Sequence, residues 1–104
     1  MELESKTKYD IFISYSGKDI KLVRAVAQTL HVAGLNVYCD DLAGHGMVHG
    51  GRSIDAISEL LVRHLTESAL MIVIDTDNAR NSKWVDFETR FFRALNRPIH
   101  YIKF

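Results

Sequence analysis

The sequence has little cysteine and little proline. Cys39 is the only cysteine and Pro98 the only proline among 104 residues. A single cysteine excludes an internal disulfide and a zinc site built from several cysteines, and it is typical of a reducing compartment. Because Cys39 ends an apolar stretch, we predict that it lies in the core. With no proline-rich or glycine-rich linker to divide it, a chain of this length fits one domain.

The sequence also lacks an excess of charge and a long apolar run. Thirteen Lys and Arg residues balance thirteen Asp and Glu residues, so net charge does not attract the chain to nucleic acid or to an anionic membrane. No run approaches the roughly 20 apolar residues of a membrane-spanning helix, and segment 1–8 has no secretory signal. We therefore expect a cytoplasmic chain that binds neither nucleic acid nor membrane.

Apolar residues alternate between strand and helix spacing along the chain. Runs rich in apolar and β-branched residues predict strands at 9–14, 36–40, 69–74 and 99–104. Apolar residues at helical spacing predict helices from Asp19 to Gly34, from Ser53 to Leu65, and from Asn81 or Ser82 to about Leu95. Asp19 is a candidate cap of the first helix and Gly34 its stop. We predict a polar tail at 1–8 and one domain at 9–104.

This alternation predicts an α/β fold. Strands that alternate with helices need crossover connections, which are almost always right-handed and give a parallel sheet covered on both faces. The expected architecture is flavodoxin-like, with three layers. Ligands of such sheets bind beyond the carboxyl ends of the strands, near the point where the strand order reverses. Loops 15–19, 40–52 and 75–82 are therefore the expected walls of a crevice.

Several common site motifs are absent. The glycine-rich segment 41–52 lacks the Gly-Lys-Ser/Thr ending of a phosphate-binding loop and follows the second strand instead of the first. We interpret it as a mobile loop that moves over a ligand or partner. Glycines around His45 and His49 argue against the helix that would place both on one face, so no metal site is predicted. No Gly-x-Ser-x-Gly motif supports a hydrolase triad, and Ser14 and Ser16 are interpreted as strand-ending residues.

Trp84 and Glu88 stand four residues apart at the start of the third predicted helix. Both side chains then project from one face, beside the expected crevice. A tryptophan ring can stack on a base or pyridinium, and a carboxylate can stabilise positive charge on a sugar as a C–N bond breaks. Nicotinamide leaves NAD as a neutral pyridine, so one carboxylate can suffice. On spacing alone, a core tryptophan followed by a surface charge is the better explanation.

Five segments, taken in order, resemble the Toll/interleukin receptor (TIR) family. They are YDIFISYSGKD, GLNVYCDD, GGRSIDAI, ESALMIVIDTDNARNSKWVDFE and RPIHYIKF. The opening strand with its loop and the Ser82-x-Trp84-x-x-x-Glu88 box are the most specific. The resemblance implies a flavodoxin-like sheet, association between TIR domains and, in many members, cleavage of NAD to nicotinamide and a linear or cyclic ADP-ribose product. Members usually continue into another helix after the last strand here, so this domain looks shortened at its C-terminus.

The resemblance also assigns roles to individual residues. Glu88 takes the catalytic position, and the substrate-binding positions fall on Tyr15, Ser16, Gly17, Asp40 and Trp84. The resulting hypothesis is an NAD glycohydrolase that is activated by self-association in immune or defence signalling. NAD is its substrate, and neither a cofactor nor a metal is expected. A non-catalytic TIR adaptor or interaction module is the alternative, since some members have no activity. A nucleoside-processing transferase of related fold is a weaker third option.

Overall fold

The computed structural model describes residues 7–39 and 61–104. Within these ranges the elements are β1 (Tyr9–Ser14), a 3-10 turn (Gly17–Asp19), α1 (Ile20–Val32), β2 (Val37–Tyr38), α2 (helical residues 61–66), β3 (Ser68–Asp75), α3 (Asp77–Arg80), α4 (Lys83–Ala94) and β4 (Ile99–Lys103). Asp40, the glycine-rich loop to Arg52 and the predicted helix start at Ser53 lie outside the described residues. Over the described part of the chain, no helix has the length and apolar character needed to cross a membrane.

The four strands form one parallel sheet in the order β2-β1-β3-β4. The chain first moves outward from β1 to β2, then crosses back to place β3 on the other side of β1. The strand order therefore reverses between β1 and β3, and these two strands pair along the length of β1, with Ser14 opposite Val73 at the carboxyl end. The predicted parallel sheet is confirmed, and its switch point is the gap between the carboxyl ends of β1 and β3.

Side chains of β1 alternate between two apolar layers, as the pleat of a strand requires. Ile11 and Ile13 belong to one buried cluster, together with Val23 and Ala27 of α1. Phe12 points to the opposite face and belongs to a second cluster. Helices therefore cover both faces, which confirms the predicted three-layer fold.

The second face is covered by α2 and α4. Leu65 of α2 and Phe92 of α4 are fully buried in the same cluster as Phe12. The α4 residues Val85, Glu88 and Phe92 are buried at spacings of three and four, so one stripe of the helix faces the sheet. This stripe decides which α4 side chains reach the carboxyl end of β1.

The predicted boundaries hold for most elements, with two corrections. Segment 75–81 was predicted as a loop but contains the single-turn helix α3, because the Thr76 hydroxyl accepts a hydrogen bond from the Ala79 amide at 3.1 Å and caps it. Asp19 occupies the position before α1, but its side chain makes no capping hydrogen bond. Gly34 follows α1 with a φ of 93°, a conformation that favours glycine, so it ends the helix as predicted. Cys39 lies in the core, 1% exposed.

Phe92 and Phe91 provide a matched test of how α4 is anchored. Phe92 is fully buried, whereas Phe91 is only partly buried at the edge of the same cluster. We expect Phe92→Ala to lower the free energy of unfolding by about 3–5 kcal/mol, because the cavity it leaves cannot collapse completely. Phe91→Ala should cost much less. Urea denaturation followed by circular dichroism measures both, and equal losses would contradict the described packing.

Candidate functional site

Ser14, the last residue of β1, points toward α4. It is two residues beyond Phe12 and therefore projects from the same face of the sheet. Its side chain is fully buried. A polar residue thus follows the buried apolar residues Ile11, Phe12 and Ile13, at the carboxyl end of a strand that borders the switch point.

The start of α4 is fixed by a side-chain cap. The Ser82 hydroxyl accepts a hydrogen bond from the Val85 amide at 3.2 Å, and Asp86 in the first turn carries the charge that a helix N-terminus favours. Because the cap sets the first residue of the helix, it also sets which positions face the sheet. Glu88 is one of them, one turn after Val85.

Glu88 and Ser14 meet across this interface. The Ser14 hydroxyl donates a hydrogen bond of 2.7 Å to Oε1 of Glu88, and Glu88 is only 5% exposed. Burial of a carboxylate among apolar side chains is costly unless hydrogen bonds compensate it. A glutamate in the buried stripe of α4 is therefore an exception to the pattern of that helix, and the hydroxyl at the end of β1 is one of the groups that accommodate it.

A second polar contact joins the loops on the two sides of the switch point. Asp19 is 9% exposed and accepts two hydrogen bonds through its carboxylate. One comes from the Thr76 hydroxyl, and the other comes from the side-chain amide of Asn78 at 2.9 Å. Asp19 follows β1, and both donors follow β3. The Asp19 carboxylate, predicted to cap α1, instead connects the loop after β1 to the loop after β3 by hydrogen bonds. These two loops border the expected crevice.

Of the other residues assigned to the substrate site, Tyr15, Ser16 and Gly17 directly follow β1. Tyr15 is partly buried against the cluster under α1, and Gly17 is exposed. The Ser16 hydroxyl accepts from the Lys18 amide at 3.3 Å and so caps the 3-10 turn. Trp84 is partly buried and packs edge-on against Phe87. Asp40 lies outside the described residues.

Trp84 and Glu88 share a helix but not the same surroundings. Glu88 belongs to the buried stripe, while Trp84 lies at its flank. A cavity of about 140 Å³ opens beside α4, between the helix and the ends of β3 and β4. It is lined by Val73, Asp75, Ala79, Arg80, Ser82, Val85, Asp86, Thr89 and Tyr101. Neither Trp84 nor Glu88 lines it, so this cavity is not the predicted substrate crevice.

Ser14, Asp19, Thr76 and Asn78 were not identified as site residues from the sequence. Ser14 was interpreted only as the end of a strand, although a serine that closes a row of buried apolar residues is itself a signal. The partners of Asp19 are 57 and 59 residues away along the chain. No local pattern connects residues at that separation.

The acidic, histidine and cysteine side chains of the part of the chain that the structure describes form no metal centre. No group of three or more His, Cys, Asp or Glu side chains there is arranged to hold a metal ion. The carboxylates nearest the switch point have other partners: Asp19 accepts from the loop after β3, and Asp75 pairs with Arg80 at 3.2 Å.

Comparison with known proteins identifies the fold family. The family model described as "TIR domain" matches residues 11–103. This chain belongs to the TIR domain family. A protein of Cytobacillus dafuensis named "Putative cyclic ADP-D-ribose synthase TIR2" is 25% identical over 100 residues, which cover 96% of this chain and 26% of that protein. The TIR chain thus spans about a quarter of the length of that relative.

A solved TIR structure has the same fold. The crystal structure of the TIR domain of the Toll-related receptor TRR-2 from Hydra magnipapillata matches with a TM-score of 0.69 at 16% identity. The match covers 90% of this chain and 69% of that chain. At this identity the likeness concerns the fold alone, and it agrees with the parallel sheet described above.

Asp19 and Asp77 test the contact between the two loops. Asp19→Ala leaves the Thr76 hydroxyl and the Asn78 amide without their buried acceptor, and we expect it to lower the free energy of unfolding by about 1–3 kcal/mol. Asp77→Ala, in a side chain that is 95% exposed and pairs with Arg80, should have little effect. Chemical denaturation measures both, and hydrogen exchange should report faster opening after β3 in Asp19→Ala alone. Equal stability of the two variants would contradict the contact.

Proposed function

We propose that this TIR domain cleaves NAD to nicotinamide and an ADP-ribose product, with Glu88 as the catalytic residue. The observation that carries the proposal is the placement of Glu88. Its carboxylate lies in the buried stripe of α4, against the last residue of the strand that borders the switch point. Ligands of parallel α/β sheets bind at that edge. The name of the Cytobacillus relative refers to the same chemistry.

The reaction needs a negative charge more than it needs an acid. As the bond between C1′ of the ribose and the nicotinamide nitrogen breaks, its electron pair leaves with the nitrogen and positive charge builds on the sugar. A fixed carboxylate in a poorly solvated place stabilises that charge strongly. A water oxygen then bonds to C1′ and releases one proton, which gives ADP-ribose. Attack by an adenine nitrogen of the same molecule gives the cyclic product.

The remaining site residues bind NAD in this proposal. Tyr15, Ser16 and Gly17 follow β1 and border the switch point, while Trp84 offers an aromatic surface near the start of α4. Asp40 completes the set by resemblance to the family. Association with other TIR domains activates the enzyme, and the activity serves immune or defence signalling in the cytoplasm.

The variant Glu88→Gln tests the catalytic role without removing the packing. A glutamine has the same shape, and its amide oxygen can still accept the hydrogen bond from Ser14. We expect the rate of nicotinamide release to fall by about 100-fold or more, because the charge that stabilises the transition state is lost. Release is measured by chromatography over a series of protein concentrations, and with the domain clustered on a surface.

Glu67→Gln is the matched control. Glu67 immediately precedes β3, at the opposite end of the sheet, and its side chain is 21% exposed beside Lys8. We expect this variant to release nicotinamide at the wild-type rate. If the wild type releases nicotinamide and Glu88→Gln releases it at the same rate, the catalytic role of Glu88 is refuted.

A non-catalytic interaction module is the second candidate function. The burial of Glu88 favours it, since a carboxylate that is 5% exposed and bonded to Ser14 can also serve only to hold α4 on the sheet. Such a module would associate with other TIR domains and release no nicotinamide. Sedimentation analysis beside the turnover assay separates the two functions: concentration-dependent association without release at any concentration supports the module.

A further inference from the structure

Ser14 differs from the other buried serine of the described residues in what it binds. Both Ser14 and Ser68 are fully buried. The Ser68 hydroxyl donates to the carbonyl oxygen of His64, only four residues away, at 2.8 Å. The Ser14 hydroxyl instead donates to a side-chain carboxylate, 74 residues away on another element. The Ser68 hydroxyl thus bonds to a backbone carbonyl nearby in the chain, whereas the Ser14 hydroxyl connects the sheet to the side chain of Glu88 on α4.

The hydrogen bond restricts the last side-chain torsion of Glu88, for which the helix backbone sets no strong preference. Rotation of a glutamate carboxyl group about its last bond has broad, shallow preferences, so the helix backbone does not fix the plane of the two oxygens. The Ser14 hydroxyl, 2.7 Å from Oε1, restricts that rotation and so favours one direction for Oε2. The distance is that of a well-formed hydrogen bond from a hydroxyl to an oxygen acceptor.

We infer that Ser14 is a positioning residue for the catalytic Glu88, orienting its carboxylate toward the ribose of NAD. This inference rests on the proposed function. Ser14 is fully buried and so acts through Glu88, without touching the substrate itself. Its place on the strand explains its effectiveness. Ser14 pairs with Val73 of β3, so the hydroxyl is attached to hydrogen-bonded backbone inside the described sheet.

Positioning predicts a loss in turnover and not in binding. An incorrectly oriented carboxylate still permits NAD to bind but no longer meets the charge that develops in the transition state. We therefore expect Ser14→Ala to lower kcat by about 10- to 100-fold, the scale of a misplacement near 1 Å. KM should change by less than about threefold, because the interaction is made chiefly in the transition state.

Three variants accompany Ser14→Ala in the experiment. Ser68→Ala removes an equally buried hydroxyl at the amino end of the neighbouring strand and should leave kcat at the wild-type value. Ser14→Thr restores a hydroxyl at the same position and should recover most of kcat. Combining Ser14→Ala with Glu88→Gln should give the same rate as Glu88→Gln alone, because Ser14 has no other route to the reaction.

The outcomes separate this inference from the proposed function. Nicotinamide release is measured on wild type and variants at equal folded fraction, checked by circular dichroism. If the wild type releases nicotinamide and Ser14→Ala has the same kcat, the role of Ser14 is overturned while the role of Glu88 stands. Equal losses in Ser14→Ala and Ser68→Ala also overturn it, since they would reflect general packing. No release from wild type under clustered conditions overturns the proposed function and the role of Ser14 with it.

Discussion

The parallel pairing of β1 with β3 is the interaction on which the rest of the described structure depends. β2 pairs with β1 and β4 pairs with β3, so the β1–β3 ladder joins the two halves of the sheet. Its register places Tyr9 opposite Ser68 and Ser14 opposite Val73. Both strands then end at the same edge, and the loops that follow them lie side by side. The contact of Asp19 with Thr76 and Asn78 depends directly on that adjacency.

Two polar contacts occupy this edge, and an apolar layer places the first of them. Phe12 and Phe92 bring α4 onto one face of the sheet, which sets Glu88 against Ser14. The loops after β1 and β3 meet at Asp19, which accepts from Thr76 and Asn78. Buried carboxylates cost free energy that packing elsewhere must offset. Exceptions to apolar patterning that cluster at one ligand-binding edge are typical of functional sites.

The order and type of the elements were predictable because they depend on local patterns. The run from Tyr9 to Ser14 is a strand with the predicted bounds, and Ser82 caps α4 as its residue type favours. The single turn of α3 was missed because four residues are too few to show a helical period. The side chain of Asp19 was assigned wrongly, because its residue type fits a helix cap equally well and its actual donors, Thr76 and Asn78, lie far away along the chain.

Local patterns of residue types were enough to predict the fold class and the TIR resemblance. On spacing alone Glu88 fits a surface charge, and only the resemblance made it the candidate catalytic residue. The tertiary structure decided what surrounds that residue. It separated Glu88 from Trp84, placing one in the buried stripe of α4 and the other at its flank. It also brought Ser14 to within 2.7 Å of Glu88 from 74 residues away. Such a contact depends on the order of the strands and on which side of α4 faces the sheet. Both are set only when the helices pack on the assembled sheet.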